Sequence, residues 1–168
     1  EVCVVAFAGT GEMVKDVEPL SDDHRNIRLS STTSQDGTSL GEGIKTALKL
    51  LDQRKENYKS AGVDYYQPWL VVMTDGEPTD DTHYGIANDI RSRVEDKKLS
   101  VFPIAIGELL ETRHLSSISP KRDPIKLKGT KFKTFFEWLS KSMAKVSVSV
   151  PGDDVPIDTD GLKGWASL

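Results

Sequence analysis

The chain has 168 residues, of which 37% are apolar and 29% charged, which is enough for one globular domain with a sizeable core. Its net charge of -4 gives no electrostatic case for nucleic-acid binding, and no apolar run approaches the roughly 18 residues of a membrane-spanning helix. Cys3 is the only cysteine, so we expect no internal disulfide and a reducing, cytoplasmic compartment. The first residue is Glu1 rather than Met, so we expect the natural N-terminus to lie upstream.

Predicted strands and helices alternate along the chain. Runs of consecutive apolar residues predict strands buried on both faces, and apolar residues at helical spacing predict amphipathic helices. The strands are predicted at residues 1–8, 15–20 (a short edge strand), 69–73, 99–106 and 124–128, and the helices at 39–60, 80–98, 108–119 and 132–146. Residues 21–36 are polar and predict a surface loop. On the last helix, we expect the inward side chains to be Phe135, Phe136, Leu139 and Met143.

This alternation predicts the α/β class, with a three-layer, doubly wound and mostly parallel sheet. Residues 1–150 would form this domain. Residues 151–168 contain Pro, Gly and several acidic side chains, and predict a C-terminal tail with little regular structure. The three histidines show no metal-binding spacing, and we expect them at the surface or at helix ends.

An acidic side chain follows the strand at 69–73. Gly76 and Pro78 end that strand, so Asp75 would lie at its C-terminal end, where open α/β sheets bind ligands. Asp75 could instead be a turn aspartate that caps its own loop. The nearby Glu77 and Asp80 would form an acidic rim to a ligand site, or a solvated helix start where carboxylates favour the helix dipole.

A second polar segment, 36–39, opens the first predicted helix. Thr38 or Ser39 could cap that helix. Alternatively, hydroxyl and carboxylate oxygens that meet at a sheet edge suit Mg²⁺ or Mn²⁺, and Mg²⁺ needs few protein ligands because it keeps several waters.

These two segments together resemble the von Willebrand factor A domain, which has a Rossmann-like fold. Residues 36–43 followed by a helix, and 70–76 at a strand end, are similar to the second and third parts of that family's metal-ion-dependent adhesion site. The resemblance implies that Thr38 and Asp75 bind a divalent cation, Mg²⁺ or Mn²⁺. Ser39, Asp36, Glu77 and Asp80 would lie at the rim of this site.

Three longer segments, 64–70, 74–81 and 132–140, resemble one bacterial branch of the family, the TerY-like proteins associated with tellurium resistance and stress. The specific phrases within them are Tyr-Tyr-Gln-Pro-Trp at 65–69 and Asp-Gly-Glu-Pro-Thr-Asp at 75–80. This resemblance implies a cytoplasmic module whose metal attracts a carboxylate of a partner protein. Kinase and phosphatase partners of a stress system are implied as well, with neither nucleic acid nor membrane as a partner.

The chain departs from the family at one point. The Asp-x-Ser-x-Ser loop that completes the family's metal site does not occur in these 168 residues. In the family that loop follows the first strand, which is central in a sheet of order 3-2-1-4-5-6. We therefore expect this chain to start at the second strand. An upstream segment could hold the first strand, another chain could supply it, or the fold could be rearranged.

The sequence thus favours a non-enzymatic interaction module. A rival hypothesis is a metal-dependent hydrolase or phosphatase that uses Asp75 and Asp36, which would also require a nucleophile or general base beside the metal. A third hypothesis is a scaffold domain with a vestigial metal site.

Overall fold

Six strands and four helices lie in the part of the chain that the structure, a computed structural model, describes: residues 1–8, 11–19, 37–79, 81–107, 112–127, 131–148 and 166–167. The strands are β1 (Val2–Phe7), β2 (Gly11–Glu18), β3 (Trp69–Thr74), β4 (Ser100–Ile106), β5 (Ile125–Leu127) and β6 (Ala166–Ser167). The helices are α1 (Leu40–Ser60), α2 (Thr82–Glu95), α3 (Arg113–Ser117) and α4 (Phe132–Ser147). Each described strand and helix before β6 overlaps one predicted from the sequence.

The described strands form two sheets rather than one. β1 and β2 make an antiparallel pair, and β3, β4, β5 and β6 make a second sheet in that order. Within the second sheet, β3, β4 and β5 run parallel, which confirms the predicted parallel pairing for these strands. β3 and β4 are paired without a break from Trp69 opposite Ser100 to Thr74 opposite Ala105.

One predicted boundary was wrong. β2 begins at Gly11 rather than at residue 15, because Gly11 pairs with Phe7 in a hairpin and the ladder extends the strand through residues whose own pattern is weak. Ala166 and Ser167 lie in the tail that was expected to have little regular structure, and they pair with Leu127 and Lys126 at the edge of β5. Backbone pairing with a neighbouring strand decides both features, and the local sequence carries little trace of it.

The chain divides into two compact units. The first comprises Glu1–Val63 and Gly76–Asn88, and the second comprises Asp64–Asp75 and Asp89–Leu168. In the first unit, α1 packs on β1 and β2. Its buried face carries Leu40, Ile44 and Leu48, which recur at the helical spacing seen in the sequence.

The core of the second unit lies between α4 and the parallel strands. Phe135 and Trp138 of α4 join a buried cluster with Phe102, Ile104, Ile125 and Leu127. The Trp69 ring lies 4.7 Å from that of Phe102, and the guanidinium carbon of Arg122 lies 4.6 Å from the Phe102 ring centroid. Arg122 therefore covers the core with a cation–π contact.

The predicted inner face of α4 was only partly right. Phe135 is fully buried and Leu139 packs against the core, but Phe136 is 49% exposed and Met143 41% exposed. The buried positions 135, 138 and 142 follow the helical repeat, and the other two lie beside this stripe. No described helix is long and apolar enough to span a membrane.

Neighbouring phenylalanines on α4 therefore provide a matched stability test. We expect Phe135→Ala to lower the free energy of unfolding by about 3–5 kcal/mol, because it empties a fully buried site. Phe136→Ala should cost less than about 1 kcal/mol, since that ring already meets solvent. Urea unfolding followed by circular dichroism measures both. Equal losses would mean that Phe136 is buried in solution.

An ion pair links the start of β1 to the second half of α1. Arg54 Nε donates to Glu1 Oε2 at 2.8 Å, Arg54 Nη2 and the Tyr58 hydroxyl also donate to this carboxylate, and the Arg54 guanidinium lies over the Tyr58 ring. These interactions lower the pKa of Glu1 below its ordinary 4.5, chiefly through the hydrogen bonds from Arg54.

The stability that Glu1 contributes should therefore depend on pH. A lowered carboxyl pKa stabilises the folded state fully above the ordinary pKa, and this contribution is lost as the pH falls through the lowered value. We expect Glu1→Gln to be less stable than the parent near neutral pH and to approach it in stronger acid. Tyr58→Phe, which removes one hydrogen bond, should show a smaller difference of the same sign. A Glu1→Gln deficit that does not change with pH would contradict this account.

Candidate functional site

Thr38 and Thr79 hold together two segments of the first unit. The backbone N–H of Thr38 donates to Thr79 Oγ1 at 2.9 Å, and the backbone N–H of Thr79 donates to the Thr38 carbonyl at 3.0 Å. This reciprocal pair fixes the segment before α1 against the segment that follows Gly76. Thr79 was not among the predicted site residues, although it belongs to the Asp-Gly-Glu-Pro-Thr-Asp phrase that marked this region.

Ser39 does not cap α1 in the predicted way. It occupies the N-cap position, but its side chain makes no capping hydrogen bond. Its backbone N–H instead donates to the Ala8 carbonyl at 2.6 Å, which ties the start of α1 to the end of β1. A tertiary backbone contact therefore anchors this helix end, where the sequence suggested a local one.

Glycines permit the close contacts around Thr38. Gly37 has φ of +72°, and a Cβ there would lie 2.6 Å from Thr79 Oγ1. A Cβ on Gly76 would lie 3.5 Å from Thr38 Oγ1, so the turn that begins at Gly76 passes within van der Waals distance of that hydroxyl. Glycine at position 37 therefore lets the Thr79 side chain approach the backbone, in a conformation that glycine adopts readily.

The start of α2 lies against the first turn of α1. A Cβ on Gly41 would lie 2.0 Å from Thr82 Oγ1 and 2.5 Å from the His83 backbone nitrogen. His83 is buried, and its ring lies 4.0 Å from that of Tyr84. His83 and His114 both lie at helix starts, as predicted, but both are buried rather than at the surface. His83 is enclosed because the backbone at the start of α2 lies close to Gly41 of α1.

Asp75 emerges at the C-terminal end of β3. It directly follows the buried Thr74 and is itself exposed, as the sequence predicted for a carboxylate at this end of a parallel strand. Glu77 is exposed and Ser39 is half-buried, whereas Asp36 and Asp80 lie outside the described residues. Thr38 belongs to the first compact unit and Asp75 to the second.

The predicted ligands are of the chemical type that a hard cation prefers, but they are few. A threonine hydroxyl and an aspartate carboxylate are the oxygen ligands that Mg²⁺ and Mn²⁺ prefer. Among the residues that the structure describes, however, no group of three His, Cys, Asp or Glu side chains is placed to hold a metal ion. Thr38 and Asp75 remain the two predicted oxygen ligands.

Comparison with known protein families decides the assignment. The sequence profile of the von Willebrand factor type A domain matches residues 1–138, most of the chain. The chain belongs to the von Willebrand factor type A domain family. Searches of curated proteins and of solved structures found no match.

Membership confirms part of what the sequence predicted. Von Willebrand factor A domains have an α/β, Rossmann-like fold, in agreement with the mixed helices and strands and the three parallel strands described above. These domains are commonly protein-interaction modules with a metal-ion-dependent adhesion site, and most are not enzymes. The TerY-like branch stays a prediction from the phrases at 65–69 and 75–80.

Alanine substitution of two helical glycines tests how closely the start of α2 approaches α1. We expect Gly41→Ala to destabilise the domain by about 2 kcal/mol or more, because its methyl group would overlap backbone atoms of Thr82 and His83. Gly85→Ala should instead stabilise it by roughly 0.5–1 kcal/mol, since Gly85 is helical and has open space around it. Thermal and urea unfolding of both variants provide the measurement. A neutral Gly41→Ala would show that the two segments are farther apart in solution.

Proposed function

We propose that this von Willebrand factor A domain is a non-enzymatic module that binds a partner protein through a divalent cation. Family membership over residues 1–138 carries the proposal, because interaction through such a metal site is the common role of these domains. The position of Asp75 supports it, since an exposed carboxylate follows a parallel strand at the sheet end where ligands bind.

Thr38 and Asp75 have distinct roles in this proposal. The Thr38 hydroxyl would contact Mg²⁺ or Mn²⁺ directly or through a water. Asp75 would bind the cation through a water and would supply the negative charge of this two-residue set. A cation with so little ligand charge remains electrophilic and can accept a carboxylate of the partner at an open coordination position. The surroundings of Thr38 support its role, because the glycines at 37 and 76 keep side-chain bulk away from this region.

The rim residues would select the partner. Ser39, Asp36, Glu77 and Asp80 flank the two metal residues in sequence, and Glu77 is exposed. Carboxylates at this rim would repel an acidic partner surface that has no carboxylate placed to reach the cation. They would favour a partner that presents one carboxylate among basic residues.

The proposed setting is a bacterial stress or tellurite-resistance system in the cytoplasm, with kinase or phosphatase partners. The two phrases shared with the TerY-like branch support it, and one of them, at 75–80, contains the proposed metal residue Asp75. We also propose that the domain has the full three-layer, doubly wound sheet of its family.

The rival function is metal-dependent hydrolysis. Asp75 lies at a sheet end that also serves enzymes, and an enzyme would need a nucleophile or general base beside the metal. A scaffold role with a vestigial metal site is the alternative that the two-ligand set favours. Metal binding and turnover separate the three functions.

Metal binding should depend on the two predicted ligands. We expect isothermal titration to detect Mn²⁺ binding to the parent chain that Thr38→Ala weakens at least about ten-fold and Asp75→Ala abolishes. Asp64→Ala is the matched control, because Asp64 is an exposed aspartate that precedes β3 while Asp75 follows it. Binding of Mn²⁺ should also raise the unfolding temperature of the parent and of Asp64→Ala only.

Three results would overturn parts of this proposal. Absence of Mn²⁺ binding at millimolar concentration would favour the vestigial scaffold. Binding that survives in Asp75→Ala would move the metal to other residues. Turnover of a phosphate ester with Mg²⁺ that is lost in Asp75→Ala would make the domain a hydrolase instead of a binding module.

A further inference from the structure

The start of α2 presents one face to solvent. Residues three, four and seven positions apart share one side of a helix. At this spacing lie Asp81, which directly precedes α2, and Tyr84, Gly85 and Asn88 within it, and all of them are exposed. The backbone N–H of Tyr84 donates to the Asp81 carbonyl at 3.1 Å, so the turn that contains Asp81 leads directly into the helix. These four residues form the outer face of α2.

Tyr84 is a large aromatic side chain that remains in solvent. It is 49% exposed, although its ring lies 4.0 Å from the ring of the buried His83. The contact with His83 holds the orientation of the Tyr84 ring, so that little side-chain freedom would be lost on binding. Tyrosine is enriched at binding surfaces because it combines an apolar ring with a polar hydroxyl. Covering His83 is the alternative role of this ring, and that role predicts no ligand.

Gly85 has no packing reason among the described residues. A Cβ at this position would have nothing within 4 Å, whereas a Cβ on Gly41 would overlap atoms of Thr82 and His83. Glycine weakens a helix relative to alanine, so an open helical position gains nothing from it within the chain. Glycine is common where a backbone must be approached closely by a ligand. The backbone beside Tyr84 is therefore open to another chain.

Negative charge accompanies this face. Residues 76–88 contain Glu77, Asp80 and Asp81 but neither lysine nor arginine. Glu77 and Asp81 belong to the described part of this segment, and both are exposed. A helix start carries about half a positive charge, which the full negative charge of an aspartate outweighs. This surface therefore attracts a cation rather than an anion.

We propose that the outer face of α2 binds an arginine side chain of a partner protein. The guanidinium would stack on the exposed side of the Tyr84 ring and donate hydrogen bonds to the Asp81 carboxylate, which the helical spacing places next to that ring. The side-chain amide of Asn88 and the open backbone at Gly85 would contact the main chain beside the arginine. This site goes beyond metal-mediated binding of a carboxylate, because it requires no metal ion.

Arginine fits this face better than other side chains do. Its planar guanidinium can stack on a ring while it offers paired N–H groups to a carboxylate, and an ammonium group cannot do both. An apolar side chain would remove the Asp81 carboxylate from water without a partner, at a cost in free energy. A dimer with a two-fold axis through this face would bring the Asp81 carboxylates of two copies together, where like charges repel.

NMR titration of the 168-residue chain in the presence of EDTA tests the proposal. The probe is a short blocked peptide with one arginine among glycine and serine residues. We expect the arginine side-chain resonances to shift upfield, because the ring current of Tyr84 acts on a group stacked on it. Nuclear Overhauser effects should connect the arginine Cδ protons to the Tyr84 ring, and the amides of Asp81 and Gly85 should shift along the same binding curve. Absence of these signals at tens of millimolar peptide would overturn the proposal.

Modified peptides make the test specific. Citrulline keeps the planar shape of arginine without its charge and should weaken binding at least about three-fold. Lysine keeps the charge without the planar group and should weaken binding at least about two-fold. A leucine peptide that binds as tightly as the arginine peptide would make this face an apolar contact. Equal binding of all these peptides would mean non-specific adsorption, and either result would overturn the proposal.

Two variants with matched controls test the protein side. Tyr84→Leu and Asp81→Asn should each weaken binding of the arginine peptide at least about three-fold. Leucine is a good helix former and asparagine is as favourable as aspartate at a helix start, so both variants should fold. Tyr66→Leu and Asp64→Asn change another exposed tyrosine and aspartate and should leave binding unchanged. Full binding in Tyr84→Leu would overturn the proposal.

Gly85→Ala separates a binding role from a structural one. The added methyl group should stabilise the helix but obstruct the approach of the peptide. We therefore expect the unfolding temperature to rise while the affinity for the arginine peptide falls at least about two-fold. An affinity equal to that of the parent would overturn the assignment of Gly85 to this site.

A second copy of the chain as occupant has its own signature without peptide. Tyr84 resonances that shift with protein concentration, together with a dimer in analytical ultracentrifugation, would mean that another copy covers this face and would overturn the proposal of a separate partner. The arginine titration contains EDTA, so its outcome does not depend on Mn²⁺ binding at Thr38 and Asp75. Failure of one proposal therefore leaves the other standing.

Discussion

The unbroken parallel ladder between β3 and β4 is the constraint on which the second unit depends. Six consecutive residue pairs fix the direction of both strands and bring Asp75 to a sheet end. The same register places Phe102 and Ile104 on the face that α4 covers, so that Phe135 and Trp138 can pack against them. Because the side-chain period of a strand is two, a slip of one residue would turn this apolar row away from the helix. The ladder thereby links the position of the proposed ligand to the packing of the core.

The first unit depends on close backbone contacts that glycine allows. Gly37 permits Thr79 to approach Thr38, Gly41 permits the start of α2 to approach α1, and a Cβ on Gly43 would lie 2.7 Å from that of Phe7. These contacts hold the segment that begins α1 by tertiary hydrogen bonds instead of a local side-chain cap. The cost of glycine in a helix, about 1 kcal/mol each, is offset by this packing. The backbone at Thr38 is thereby fixed against that of Thr79.

The sequence by itself determined the class of the fold and most of its elements. Apolar runs at 69–73 and 99–106 marked buried strands, and the helical spacing of Leu40, Ile44 and Leu48 marked α1, because burial imposes these periods locally. Asp75 could be placed at a strand end for the same reason. The tertiary structure alone decided the extension of β2, the pairing of Ala166–Ser167, the exposure of Phe136 and the link between Thr38 and Thr79. Each of these depends on which distant backbone comes within hydrogen-bonding or van der Waals distance, and local periodicity carries no record of that neighbour.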